Sequence, residues 1–413
     1  MKEQLIRDHE LLASFVKDNW RKSLNEPSGI LKHKFIDPAA NYRAQLWDWD
    51  AYFCGVSLID VYEDTAEYVK GCVDNFLEYQ AQDGSVPYMI NVGKPNAALP
   101  VVSKAPRSDD SDLNSIKPLL CRMAMLAYGK LSDKSWLVGI YPSLKLHIAH
   151  WESTQRMKNG LFVWRSYRGS GTDNHPAVYG RPLNSSAAVE LNCLMYAEYK
   201  AVAEIASICG DTDGEKAYTN SAAQLAVDIN THMWDPIDGL YYNLDMLSSK
   251  PPLARQEVTW NVPLKFRAWT CFMPMWAGIA PKEYADRMVR EHLMNSSEFL
   301  SDYGVRTLAK CEPLYSTTEM GNPSNWQGPV WIVSTYLIFK GVLDCGYYTE
   351  ALQIAENLVT NLARDIRENG LLHEYYNPET GNSTINPGFM NWNGLAALMV
   401  PELIKYREAH DET

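Results

Sequence analysis

Two carboxylates stand in stretches whose composition suits neither helix nor strand. Asp173 lies in "RGSGTDNHPAVYGRP" (168–182), where glycines and prolines fix an irregular backbone. Such a backbone can hold a carboxyl away from its own helix. Glu374 lies in "LLHEYYNPETG" (371–381), between an apolar run and a turn. Hydrolysis of a glycosidic bond needs two carboxyl groups on opposite sides of that bond. One protonates the leaving oxygen, and the other attacks or activates water. Asp173 is the candidate acid and Glu374 the candidate base. Plainer roles compete. Asp173 suits an Asx-turn, Asp48 and Asp50 suit caps of one helix, and Asp109, Asp110 and Asp112 suit caps of another. Glu319, in "STTEMGNP", is a rival base.

Aromatic and polar residues crowd the same stretches. "NYRAQLWDWDAYF" (41–53) carries Trp47, Trp49 and Asp50, and "NPSNWQGPVW" (322–331) carries Trp326 and Trp331. Tyr375, Tyr376 and Trp392 accompany Glu374. Indole and phenol faces stack on the C–H faces of a sugar ring, and Asp, Asn and Gln accept from its hydroxyls. The set predicts a carbohydrate partner. So many bulky groups predict a pocket rather than a groove, and release of one sugar from a chain end. If the leaving portion is anionic, Arg168, Arg181 or Lys117 is the expected counter-charge.

Helices must position these groups, because strand patterns are weak and helical periodicity is strong. Helices are expected near 3–22, 50–60, 62–82, 110–130, 136–157, 186–210, 213–233, 266–278, 281–294, 326–344, 346–369 and 388–408. Connections after even-numbered helices are short, as at "GDTD" (210–213), where Gly210 should stop one helix and Asp213 cap the next. Those after odd-numbered helices are long and hold the chemistry. Short connections join antiparallel neighbours. The pattern is six helical hairpins with the long loops on one face. Helix 186–210 is apolar or small nearly all round, whereas 346–369 has a narrow stripe of Ala351, Ile354, Leu358, Leu362 and Ile366. An all-α fold follows: an (α/α)6 barrel, with even-numbered helices inside, forming one catalytic domain over 1–413.

Composition excludes other classes. Net charge is −12 and no Lys/Arg run appears, against a nucleic-acid partner. No uncharged run reaches membrane-spanning length, so no membrane partner is expected. The first twenty residues lack a signal-peptide core. The eight cysteines are scattered without metal or redox spacing. Cys54, Cys72, Cys121, Cys193 and Cys209 read as reduced residues in helices of a cytoplasmic protein. His147 and His150 are a close pair without a third ligand, so no metal is expected. No phosphate loop, dinucleotide fingerprint or nucleophile elbow occurs, so no cofactor is expected.

The motifs come in an order that resembles the clan containing glycoside hydrolase families 63 and 37, above all its compact bacterial mannosylglycerate and glucosylglycerate hydrolases. They are "WDAYF" (49–53), "GSVPY" (84–88), "SGTDNHP" (170–176), "GPVW" (328–331), "EYYNPETG" (374–381) and "GFMNW" (388–392). The resemblance implies Asp173 as general acid, Glu374 as general base, and inversion at the anomeric carbon. It also implies sugar contacts from Trp49, Asp50 and Tyr88. There are departures. Gln327 stands where the clan has Arg, "IKP" (116–118) replaces a Q-P-P motif, and "RSYRG" precedes Ser170. The expected activity is inverting, exo-acting hydrolysis of a small α-linked glucoside or mannoside. Alternatives are a trehalase- or sucrose-type disaccharide hydrolase, a sugar epimerase using paired histidines, or a non-catalytic sugar-binding protein.

Overall fold

In the computed structural model, residues 2–92, 114–246, 261–318 and 323–411 are described, with two short strands at 248–249 and 258–259. The chain is predominantly helical. Helix falls in all twelve expected places: α1 Glu3–Asn19, α2 Asp48–Leu58, α3 Thr65–Glu78, α4 Leu120–Leu131, α5 Lys134–Gln155, α6 Val189–Cys209, α7 Thr212–His232, α8 Met273–Trp276, α9 Lys282–Arg287, α10 Ile332–Asp344, α11 Tyr348–Asn369 and α12 Met399–Asp411. Connections after even-numbered helices are short and those after odd-numbered ones long.

Burial explains who packs on whom. In α6 fifteen of twenty-one residues are buried, so it needs neighbours on every side. It contacts α4, α5, α7 and α8. In α11 the stripe Ala351, Ile354, Leu358, Leu362 and Ile366 is buried, and the helix lies on α1 and α10. Helices α2, α4, α6, α8 and α10 touch in that order. Helix α10 touches the 3-10 turns Asn391–Leu398, and these touch α2. Buried apolar residues from Leu5 to Leu403 form one contiguous cluster.

Several boundaries differ from the sequence expectations, each for a local reason. The expected helix 266–278 is 3-10 turns at Trp269–Phe272 followed by four α-helical residues. Gly278 lies just beyond, in the left-handed region at φ +70°. The expected 388–408 begins as 3-10 turns and only later becomes α12, and the segment after α9 is π-helical over Met288–Leu293. Helix α10 starts at Ile332 rather than 326, because Val330–Trp331 is a strand. Gly210 ends α6 as expected, but Asp211, not Asp213, caps α7, accepting from the Gly214 N–H at 2.9 Å. Helix α4 begins at Leu120. Asp109, Asp110, Asp112 and Glu319 lie outside the described residues.

The long connections hold more strand than periodicity signals. Among the described residues no strand exceeds three residues, too few for alternation to register. Their pairing is orderly. Gln45–Trp47 pairs with Met89–Asn91 and joins the first connection to the second. Asn243–Asp245 lies between Ser186–Ala187 and Val262–Leu264 and joins the third to the fourth. Val330–Trp331 pairs with Tyr375–Tyr376 and joins the fifth to the sixth. No described helix is long and apolar enough to cross a membrane. The eight cysteines are free.

Glu190, in the first turn of α6, is buried, and one carboxylate oxygen accepts from Trp164 Nε1 at 3.0 Å. Burial pushes its pKa up to about 7. A folded pKa above the unfolded one gives stability that is full below about 4.5 and lost as pH rises through about 7. The melting temperature should therefore fall across that window. Glu190→Gln, read by thermal denaturation at stepped pH, should flatten that fall; an unchanged slope would assign the loss elsewhere.

Candidate active site

A cavity of about 180 Å³ opens where the long connections meet the N-terminal ends of the even-numbered helices. Asp173 and Glu374 both line it. So do Trp47, Trp49, Asp50, Tyr88, Trp326, Trp331 and Trp392, as the sequence predicts. Tyr42, Lys117, Arg168, Gly171 and Ser324 complete the wall. Among the described residues the fourth connection contributes nothing to it.

The aromatic floor is one packed assembly. Trp326 stacks on Trp331 with centroids 4.0 Å apart, and Tyr375 stacks behind Trp331 at 4.8 Å. Trp392 meets Trp49 edge-on at 5.2 Å. At the rim Trp47 lies 6.0 Å from Tyr88 and 6.2 Å from Tyr42. The indole N–H groups are partly committed inward: Trp331 donates to Asn325 O at 2.7 Å and Trp326 to Ser324 Oγ at 3.1 Å. The ring faces, rather than these N–H groups, are what the cavity offers.

Asp173 is half-buried. Its loop is fixed on both sides. Gly171 has φ +72°, and a Cβ there would stand 2.8 Å from Trp49 Cζ2, so both the turn and the close approach need glycine. Asn174 accepts from the Trp326 backbone N–H at 2.6 Å and donates to Asn325 Oδ1 at 3.0 Å. Gln327 Nε2 donates to the Asn174 carbonyl at 2.9 Å.

Glu374 is buried and precedes the strand Tyr375–Tyr376. Its Oε2 accepts from Asn386 Nδ2 at 3.0 Å and its Oε1 from the Tyr42 hydroxyl at 3.4 Å. Burial outweighs these bonds and pushes its pKa up to about 7, with the neighbouring Asp173 acting in the same direction. Behind it, Asp365 accepts from the Tyr376 hydroxyl at 2.7 Å and pairs with His373 Nδ1 at 2.9 Å. Asp365, opposed by its own burial, is nonetheless held below the ordinary carboxylate range by those bonds and one from Asn369.

Two further carboxylates differ in their partners. Asp48 accepts from Lys117 Nζ at 3.1 Å and from the Lys117 backbone N–H at 2.9 Å. Lys117 is buried, and its ammonium lies 4.8 Å from the centre of the Trp49 ring. Asp50 accepts from Asn391 Nδ2. Its burial, and then the charge of Asp48, push its pKa up to about 8.

Three expected contacts lie elsewhere. Arg181 pairs with Asp245 and is not on the cavity wall. The carboxylate comes from the neighbouring strand Asn243–Asp245. Gln327 braces the Asp173 loop instead of facing the cavity. Tyr375 is buried behind Trp331 and donates to the Pro323 carbonyl at 2.7 Å. Tyr42 and Ser324 were not singled out from the sequence, although both stand in the quoted stretches around Trp47 and Trp326. Among the described residues no cluster of side chains has metal-ligating geometry.

The family model of the mannosylglycerate hydrolase MGH1-like glycoside hydrolase domain matches residues 43–394. A mannosyl-oligosaccharide glucosidase of Arabidopsis thaliana is 26% identical over 56% of the chain and 31% of its own length. A mannosylglycerate hydrolase of Rubrobacter radiotolerans is 25% identical over 47% of the chain and 39% of its own. The chain thus spans well under two thirds of either relative. The fold is that of a family 63 mannosylglycerate hydrolase from Thermus thermophilus solved with glucose, at TM-score 0.71, 18% identity, 94% of this chain and 100% of that one. The same protein has been solved with Tris and D-glycerate.

Removing the Asn174 amide would leave the Trp326 N–H and Asn325 Oδ1 without these partners. Asn325 Oδ1 still accepts from the Gln327 N–H at 3.0 Å, so Asn174→Ala should cost about 1–3 kcal/mol, the usual penalty of one buried unpaired group. Urea denaturation measures this. A cost near zero would show that the clamp does not hold the loop.

Proposed function

We propose that this chain, which belongs to the mannosylglycerate hydrolase MGH1-like glycoside hydrolase family and is a glycosidase, cleaves a small α-linked glucoside or mannoside with inversion. The observation that carries the reading is one compact cavity bearing Asp173 and Glu374 together over a floor of stacked indoles. On this reading the closed circuit of even-numbered helices is the inner ring of a single-domain (α/α)6 barrel.

In the proposed reaction the sugar lies on the faces of Trp326, Trp49 and Trp392. Asp173 donates its proton to the glycosidic oxygen as the bond breaks. Glu374 takes a proton from a water that attacks the anomeric carbon from the opposite face. Such a pair needs about 6.5–9.5 Å between carboxyls to admit the water. Asp50, with a pKa of about 8, holds its proton at neutral pH and so suits donation to a sugar hydroxyl rather than action as the base. A cavity of about 180 Å³ is small beside the roughly 300–1,000 Å³ of drug-sized pockets, which supports removal of one terminal sugar. The Thermus neighbour's glucose and D-glycerate complexes support a hexose joined to a small acid. With Arg181 committed to Asp245 and Lys117 to Asp48, Arg168 is the cavity-lining cation proposed for such an acid.

An epimerase would need paired histidines at the sugar. Neither His175 nor His373 lines the cavity. His175 Nε2 faces Thr270 Oγ1 at 3.3 Å, and burial holds its pKa down to about 4.

A hydrolysis screen on glucosylglycerate, mannosylglycerate and neutral α-linked disaccharides, with NMR of the first anomer released, tests the reaction. The β-anomer should appear first; the α-anomer would overturn inversion. Asp173→Asn and Glu374→Gln should each lower kcat by at least about 10², the usual worth of general acid–base catalysis. Glu374 acts ionised, so kcat/KM should fall as pH drops through about 7, and Glu374→Gln should lose that limb. Near-normal turnover by both variants would remove the pair from the mechanism.

A further inference from the structure

A second cavity, of about 670 Å³, opens at the opposite end of the helical circuit. Its wall comes from α2, α4, α6, α8 and α10. Tyr52 lies beyond Trp49 and Asp50 on α2; Trp276 is the last residue of α8; Lys340 lies in the last turns of α10. The volume falls within the roughly 300–1,000 Å³ of small-molecule sites.

Arg122 attracts the buried Glu198 carboxylate through space, but its guanidinium forms no ion pair among the described residues. It stands in the first turn of α4, where the helix dipole disfavours a cation. Its backbone N–H and that of Cys121 donate to the buried Glu198 carboxylate, at 3.2 and 2.6 Å. Its side chain is held by one hydrogen bond, Nε to the Tyr52 hydroxyl at 3.0 Å. The guanidinium carbon lies 5.1 Å from the Trp276 ring centre and 5.6 Å from that of Tyr52. Among the described residues its two terminal nitrogens donate to nothing. A guanidinium fixed between aromatic rings, with its fork unused, is organised to receive a planar oxyanion in two parallel bonds. Lys200 stands on the same wall, from α6. Asp344 and Glu204 also line the cavity, and Asp344 pairs with Lys340 at 3.3 Å.

We propose that this cavity is a second ligand site, for a small organic anion whose carboxylate or phosphate lies on Arg122 and whose apolar body lies against Trp276, Tyr196 and Met125. The head group needs the free guanidinium fork, and the body needs the apolar wall. An inorganic ion meets only the first requirement and a neutral aromatic only the second.

Isothermal titration of the full chain with phenyl phosphate, benzoate and phenol tests this. The two anions should bind and phenol should not, and the tighter anion identifies the head group. Arg122→Gln should weaken anion binding at least about tenfold, the scale of a lost charge-assisted contact. Asp173→Asn should leave it unchanged, which separates the site from the proposed catalytic pocket. Thermal melting checks that Arg122→Gln folds. If it does not, Lys200→Glu reverses an exposed wall charge, removes only a 5.8 Å contact with the Tyr196 ring and should also weaken anion binding. Failure of both anions to bind, or equal binding by a folded Arg122→Gln, overturns the proposal, as does equal binding by Lys200→Glu where that variant carries the test.

Discussion

Buried side-chain amides hold the irregular mouth of this protein in shape. Backbone N–H and C=O groups that leave helices must find partners when they are buried. Here the strands at the mouth are too short to supply them all, and asparagines take over. Asn192 accepts from the Phe162 N–H at 2.8 Å and donates to the Phe162 carbonyl at 3.0 Å, as a neighbouring strand would. Asn243 accepts from the Val189 N–H and so serves the start of α6. Asn174 and Asn325 bond to each other and each to the backbone of the fifth connection. These amides are neutral, short and bifunctional, so they can satisfy two backbone groups without burying a charge.

Where charge is buried, its distribution is uneven. Asp48 and Asp50 are two residues apart on α2, yet only Asp48 meets Lys117. Asp50 has a neutral amide from Asn391, which does not offset its burial, and so it keeps its proton past neutrality. Glu374 likewise has only an amide and a phenol as donors and stands near the middle of the physiological range. The assignment of the ammonium to Asp48 therefore leaves Asp50 able to keep its proton, while burial does the same for Glu374 near pH 7. A lysine equally shared between Asp48 and Asp50 would hold Asp50 ionised and fill the pocket with fixed negative charge.

Helix number, alternation of short and long connections, and the clustering of aromatics with acids were legible in the sequence, because each rests on local pattern. The α11 stripe and the Gly210 stop are read from neighbours a few residues apart. The misses share the opposite character. Pairing of Arg181 with Asp245, of Gln327 with the Asp173 loop, and of Lys117 with Asp48 depends on which loops lie side by side. No periodicity encodes that. Gln327 stands near two cavity tryptophans and has the chemistry of a sugar contact, yet its amide is spent on the Asn174 carbonyl. The strands were missed because two or three residues cannot alternate visibly.

The two carboxyls are connected by a path that never enters a helix. Asp173 adjoins Asn174, which is bonded to the Trp326 N–H. Trp326 stacks on Trp331, and Trp331 is the strand partner of Tyr375, the residue after Glu374. Each link is short and uses backbone or an aromatic face, so the spacing of the carboxyls is set within the mouth itself. The helices need only deliver the loops to one end. A shift of a helix along its neighbour would move the loops together, because strand pairs already join the first to the second, the third to the fourth and the fifth to the sixth. The Asn174 clamp ties the third connection to the fifth, and the backbone bridge at Ala268–Leu308 ties the fourth to the fifth. The clamp is the direct one of these two routes, because it starts at the residue beside Asp173.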